Sequence, residues 1–219
     1  MAEVVVTGAS RGIGHELALQ LSARGDRVIA PVRHPAPSLQ QPLITVHEEF
    51  DIAEDRVVAN FAQSLEGRPI DILINNAAIY IPDDWRVIDL NRTRQHFEIN
   101  ALGPVKLTRA LLPNFRRGSK IAMISSRSGS IGLASDDENL SYRLSKAALN
   151  MASKVLSNGL RSEGIVVVAI HPGSVVTRMN ETGELSAGEA ARRIISILDR
   201  VTIEEAGTYW HVDGYQLPW

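Results

Sequence analysis

Val4-Val5-Val6-Thr7-Gly8-Ala9-Ser10-Arg11-Gly12-Ile13-Gly14 is the stretch whose reading decides the fold. A β-branched run gives way to three glycines within seven residues, and Leu17, Ala18 and Leu21 then recur at helical spacing up to Gly25. This is strand, glycine turn, helix. Glycines let backbone approach a ligand closely, and the free amides of a helix N-terminus favour an anion such as a pyrophosphate. The order Gly8, Gly12, Gly14 departs from the common Gly-x-Gly-x-x-Gly fingerprint, so the turn alone is compatible with a purely structural role.

The same alternation continues along the chain. Strands are expected at Arg27–Val32, Leu43–Val46, Ile70–Ile74, Lys120–Ile124, Ile165–Ile170 and Thr208–Val212. Between them lie a helix from near Ala53 to Gly67, a long helix over Leu90–Phe115, a helix through Tyr142 to Leu160, and one containing Ile194, Ile195 and Leu198. Near-continuous apolar strands alternating with helices predict an α/β fold: one doubly wound, seven-stranded parallel sheet with helices on both faces. At 219 residues a single domain, 1–219, is expected, with a short polar lid starting at Thr177 and reaching about residue 190.

Composition narrows the function. The hydrophobic share is 44% and the charged share 22%, as in soluble globular proteins. Lys plus Arg at 23 against Asp plus Glu at 25 gives a net charge of −2 without a basic block, so no nucleic-acid partner is expected. There is no Cys, which removes disulfides and thiolate catalysis, and the six His are scattered singly, so no metal is expected. The start, Met1-Ala2-Glu3 and then a strand, lacks a leader pattern, and no apolar run is long enough to span a bilayer. The expectation is a cytoplasmic protein with no membrane partner.

Several positions point to chemistry. The second strand ends at Val32-Arg33 with no acid, and Arg11 adds a second cation; together they suit a 2′-phosphate, hence NADP(H) over NAD(H), unless both are merely solvated. Asp51, followed by Ile52, either caps the next helix or meets an adenine amino group. Asn75-Asn76-Ala77 ends the fourth strand as either a turn former or a cofactor contact. Asn100 sits inside the long helix beside Gly103-Pro104, either as packing or as a break that frees a carbonyl to hold water. Ser125 and Ser126 follow the fifth strand, and Asp136, Asp137 and Glu138 favour the positive end of the next helix. His171 at the sixth strand end is either a base or structural. Tyr142 and Lys146, four residues apart, share a helix face, so the ammonium is expected to lower the Tyr142 pKa from its ordinary value of about 10.

In this order the motifs resemble the short-chain dehydrogenase/reductase family in its single-domain form. Thr7 to Gly14 is similar to its Thr-Gly-x-x-x-Gly-x-Gly turn, Asp51 to its adenine-side Asp, and Asn75 to Ala77 to its Asn-Asn-Ala motif. Asn100, Ser126, Tyr142 and Lys146 fall where that family keeps its catalytic tetrad, with Ser125 an alternative because the following loop is long; Pro172, Gly173, Val175 and Thr177 resemble its nicotinamide-side segment. Ala78 departs from the family's usual Gly. The likeness is nearest to small NADPH-dependent carbonyl reductases and C-factor-like proteins. It implies reduction of a ketone or aldehyde, or oxidation of the alcohol, with Tyr142 as proton donor. It also implies a cofactor site of Gly8, Ser10, Arg11, Gly12, Ile13, Gly14, Arg33, Asp51, Ile52, Asn76 and Ala77 together with Tyr142, Lys146 and the Pro172 segment. An NADP(H)-binding signalling role is the alternative. Self-association as a homodimer or homotetramer is expected through the Tyr142 helix. Tyr80, Trp85, Ile131, Leu133, Met179 and Asn180 are expected to border a small-molecule pocket.

Overall fold

The computed structural model describes residues 1–219. Seven strands form one sheet: β1 (Glu3–Val6), β2 (Arg27–Pro31), β3 (Ile44–His47), β4 (Ile72–Asn75), β5 (Lys120–Ile124), β6 (Val166–His171) and β7 (Tyr209–His211). Their order is β3-β2-β1-β4-β5-β6-β7, and every neighbouring pair is parallel. Parallel neighbours need crossovers, and helices on both faces supply them. One face packs under α1 (Gly12–Ala23) and α6 (Ala187–Arg200), with Val4, Val6, Leu17, Ile170 and Ile194 in that layer. The other packs under α2 (Asp55–Ser64), α4 (Gly103–Ala110) and α5 (Leu140–Leu160), with Val5, Phe61, Leu73, Leu107 and Leu149. Alternation along each strand explains the two layers: Val4 and Val6 face one way, Val5 the other. No helix is long and apolar enough to cross a membrane.

Chain order reverses between β1 and β4, and ligands of open α/β sheets bind outside the carboxyl ends at such a switch point. The glycine turn leaves β1 and Asn76 leaves β4 at this place.

Three elements differ from their expected form. The helix expected over Leu90–Phe115 is α3 (Leu90–Phe97), a π-helical turn (Glu98–Leu102) and α4, ending at Ala110. Pro104 is the cause: it has no N–H to offer the Asn100 carbonyl in the α register, and Gly103 N instead reaches Glu98 O, five residues back. The second helix begins at Asp55, not near Ala53, because Asp51 Oδ1 accepts from Ala53 N (2.9 Å) and turns the chain before the helix. The polar segment from Thr177 ends at Ser186, whose side chain accepts from Glu189 N and caps α6, so residues 187–190 are helix rather than lid. On α5, Leu144, Met151 and Val155 remain exposed, the surface on which the expected self-association would be built.

Candidate active site

The glycine turn is held to the end of β4 by side chains. Thr7, fully buried, accepts at Oγ1 from Asn76 N and Ala77 N (both 3.0 Å), and Asn76 Nδ2 donates to Thr7 O at 2.9 Å. Close approach explains two glycines. At Gly8 (φ +69°) a Cβ would lie 2.9 Å from Ala77 Cα, and at Gly14 it would lie 2.4 Å from Asn76 Nδ2. Gly14 is therefore a packing glycine outside the cleft wall, while Gly8, Ser10, Arg11, Gly12 and Ile13 line the cleft. α1 begins there with no side-chain cap and no acid in its first turn, so its N-terminal amides face the cleft unneutralised.

Arg11 and Arg33 are exposed on the cleft rim and neither enters an ion pair. Ser10 Oγ donates to the His34 carbonyl, tying the turn to the segment after β2. Asp51 and the buried Ile52 complete this end, and Asn76 and Ala77 line the middle. Asn75 does not take part: it is buried, donating to Thr108 and Met123. Ala78 has no positive φ, so its Cβ costs no strain.

The serines separate cleanly. Both line the cleft, but Ser125 is buried and donates to Asn150 Oδ1 at 2.6 Å, whereas Ser126 accepts from Ser128 N at 3.2 Å and its hydroxyl is within hydrogen-bonding reach of the Tyr142 phenol. Lys146 is 2% exposed and donates from Nζ to Ile124 O at 2.8 Å. Its Nζ stands 5.7 Å from the Tyr142 ring centroid. Asn100 lies outside the cleft wall, fully buried; its side chain accepts from Ile79 N (2.8 Å) and donates to Ile79 O and Ser145 Oγ.

The expected lowering of the Tyr142 pKa is overturned. Burial pushes the Tyr142 phenol up to about 12; the Ser126 hydroxyl draws it partly back, and Tyr80 adds to the rise. Burial also pushes the Lys146 ammonium down to about 8. Four-residue spacing brings the two side chains to one face, but it says nothing about the water that the packed helix excludes. At neutral pH Tyr142 thus carries its proton and Lys146 its charge.

Pro172, Gly173 (φ +84°), Val175 and Thr177 form the wall opposite the glycine turn, and a Cβ on Gly12 would meet Thr177 Cγ2 at 3.4 Å. Of the expected pocket residues, Tyr80, Met179 and Asn180 line the cleft. Trp85, Ile131 and Leu133 do not; Trp85 instead donates to Asp137 on the surface. Two of the three acids pair, Asp136 with Arg143 and Asp137 with Arg86, rather than acting only on the helix end. Asn139, not singled out by the sequence, joins the wall; its signal was an Asn directly before a helix. The cleft encloses about 740 Å³, within the range of ligand sites. Its volume, glycine floor, free helix terminus and unpaired arginines fit a phosphorylated dinucleotide.

A parallel sheet with this cleft at its switch point, and Ser126, Tyr142 and Lys146 at one end, is the build of a nucleotide-dependent oxidoreductase. The family model described as short chain dehydrogenase matches residues 2–186, and the chain belongs to that family. It is 33% identical, over all of both chains, to 1-hydroxy-2-glutathionyl-2-methyl-3-butene dehydrogenase of Rhodococcus sp. (strain AD45). It is 39% identical to C-signal of Myxococcus xanthus across 73% of this chain and 98% of that protein. The NADPH-bound carbonyl reductase from chicken fatty liver superposes with a TM-score of 0.93 at 30% identity, covering 100% of this chain and 99% of that one.

His171 lies at the cleft edge. It is 7% exposed, its Nδ1 has no partner, and its ring meets His211 edge-on at 5.1 Å. Burial, then the neighbouring His211 and Arg127 charges, push its pKa from 6.5 down to about 3. Because the folded value lies below the unfolded one, the unfolded chain binds the extra proton, and stability is lost as pH falls from about 6.5 toward 3. By pH 5 the loss from this residue is about 2 kcal/mol. Urea midpoints of His171→Gln should therefore fall less between pH 7 and pH 5 than those of the wild type; parallel curves would remove His171 from the acid response.

Proposed function

We propose that this protein is an NADPH-dependent reductase of ketones or aldehydes, or oxidises the corresponding alcohols, with Tyr142 as the proton donor. The observation that carries this reading is a protonated, half-buried phenol beside the Ser126 hydroxyl and the buried Lys146 ammonium, in one cleft with a phosphate-competent glycine turn. When bound, the cofactor supplies the hydride that reduces the carbonyl carbon.

The chain's own residues do the rest. Ser126 donates a hydrogen bond to the substrate oxygen and orients it toward Tyr142. Tyr142 gives that oxygen its proton as negative charge develops there; general acid catalysis of this kind contributes about 10² to 10⁴ in rate. Lys146, charged below about pH 8, stabilises the phenolate left behind and holds the cofactor ribose. The Asn100 carbonyl, deprived of an α-register donor by Pro104, holds a water through which Lys146 is connected to solvent for proton return. Similarity to a dehydrogenase acting on a hydroxy compound and to an NADPH-bound carbonyl reductase supports this chemistry. Similarity to C-signal supports a second reading, an NADP(H)-binding signalling protein with little turnover.

A panel of aldehydes, ketones and alcohols with NADPH or NADP discriminates the two. Turnover that drops by about 10² or more in Tyr142→Phe, with NADPH affinity retained, is the expected result. Tight NADPH binding with no turnover of any panel member favours the signalling reading, and undiminished turnover in Tyr142→Phe removes that residue from the mechanism.

Preference for NADPH rests on Arg11 and Arg33, which no acid neutralises at the rim where the adenosine ribose would lie. Losing one charge-assisted contact to a phosphate costs about tenfold or more in affinity. Titrations of Arg33→Ala should show that loss for NADPH and almost none for NADH, with the difference shrinking at high salt. Equal losses for both cofactors would contradict the assignment.

A further inference from the structure

Tyr142 is flanked by two aromatic rings. Tyr80 meets it edge-on, with centroids 5.2 Å apart and planes at 81°, and His96 lies 6.3 Å away at 73°. His96 is immobile: fully buried, it accepts at Nε2 from Ile81 N (3.1 Å) and donates from Nδ1 to Arg92 O (2.9 Å), which fixes one neutral tautomer. Tyr80 is held by its hydroxyl, which donates to Asn139 Oδ1 at 3.0 Å.

Asn139 is an unusual anchor. It is one of two non-glycine residues with positive φ (56°), and it stands directly before α5, the helix carrying Tyr142 and Lys146. Its side chain, engaged by Tyr80, makes no cap bond to that helix. The cap comes from elsewhere: Asp83 Oδ2 accepts from Ser141 N (3.1 Å), and Asp83 O accepts from Asn139 N (3.2 Å). The segment after β4 is therefore fastened to the start of α5 at three points. Tyr80 and Asn139 are the members that also line the cleft.

We propose that Tyr80, latched by Asn139, is a positioning and specificity-determining residue for the reaction at Tyr142: its ring holds the phenol in its productive orientation and walls the substrate region against bulky carbonyl substituents. An edge-to-face pair favours the paired arrangement by about 2- to 12-fold, and displacement of a reacting group by about 1 Å costs up to about 10² in rate. His96 is fixed by its own buried hydrogen bonds, so the Tyr80 ring is the removable half of the clamp. Its hydroxyl serves the latch and not the chemistry, because its proton is committed to Asn139. The inference rests on the carbonyl-reductase reading for its kinetic consequences, while the geometry of the clamp is independent of it.

The test compares Tyr80→Phe, which keeps the ring and loses the latch, with Tyr80→Ala, which loses both; Tyr80→Leu replaces the latter if it fails to fold. With a small aldehyde and a bulky ketone as probes, kcat for the aldehyde should fall about 10- to 100-fold in Tyr80→Ala with the KM for NADPH unmoved, and stay within about threefold of wild type in Tyr80→Phe. The bulky-to-small ratio of kcat/KM should rise about tenfold in Tyr80→Ala. Carbon-13 NMR of Cζ-labelled tyrosines, with Tyr142 assigned through its absence in Tyr142→Phe, gives a readout that needs no substrate. The Tyr142 signal should stay at its phenol position from pH 8 to 11 in the wild type, and its midpoint should move down by one pH unit or more in Tyr80→Ala. Wild-type kcat, substrate ratio and titration in Tyr80→Ala overturn the clamp while leaving the carbonyl reading intact. A wild type without turnover overturns that reading instead, and the NMR titration then still decides for or against the clamp.

Discussion

The arrangement depends on one buried cation. Lys146 is almost wholly removed from water, and a single hydrogen bond to Ile124 O at the end of β5 holds its ammonium. An isolated charge in such a place is costly, which is why its pKa falls to about 8. The structure around it allows that placement. Gly129 lets the turn after Ser126 rest on the Lys146 backbone, where a Cβ would come within 2.7 Å of its carbonyl. Asn150, one turn further along α5, binds Ser125 Oγ and Gly129 O and so fixes both strand end and turn. Strand β5, its serines and helix α5 thereby form one unit, and the positions of Ser126 and Tyr142 follow from it.

A second unit holds the other half of the cleft. Thr7 and Asn76 lock the glycine turn to the end of β4, and Asn100 locks the next residues of that segment to α5 through Ile79 and Ser145. A chain of side-chain to backbone bonds therefore runs from the glycine turn through β4 to the helix carrying Tyr142. Such fully satisfied buried networks rigidify a site. The exposed parts of the cleft are different in kind: Arg11, Arg33 and the Thr177–Asn180 turn have few or no side-chain partners and are free to adapt to a ligand.

What could be read in the sequence was whatever local pattern decides. Apolar runs separated by helical periodicity are sufficient for a parallel sheet, and the Gly8–Gly14 turn, Tyr142 and Lys146 sit where their spacing places them. What could not be read depends on contacts distant in the chain. The sign of the Tyr142 shift is set by burial, with a smaller addition from Tyr80, and neither is visible in a four-residue spacing. The π-turn at Asn100 was half visible through Pro104, but the helix-to-helix continuation on either side hid it. The capping of α5 by Asp83 spans 58 residues of sequence, so nothing local to the start of the helix reveals it. Trp85, Ile131 and Leu133 lie outside the cleft; apolar residues on a protein surface are common, and their type does not distinguish a pocket from an exposed loop.

The buried Lys146 is directly measurable. NMR of the four lysines labelled at Cε, with the Lys146 signal assigned by its absence in Lys146→Arg, follows its titration in the cofactor-free protein. The account predicts a midpoint near pH 8, set apart from exposed lysine. A Lys146 midpoint at about 10.4, the value of a solvated side chain, would contradict it, because the phenol would then face a hydrated charge rather than the dry cation on which the rest of the site is built.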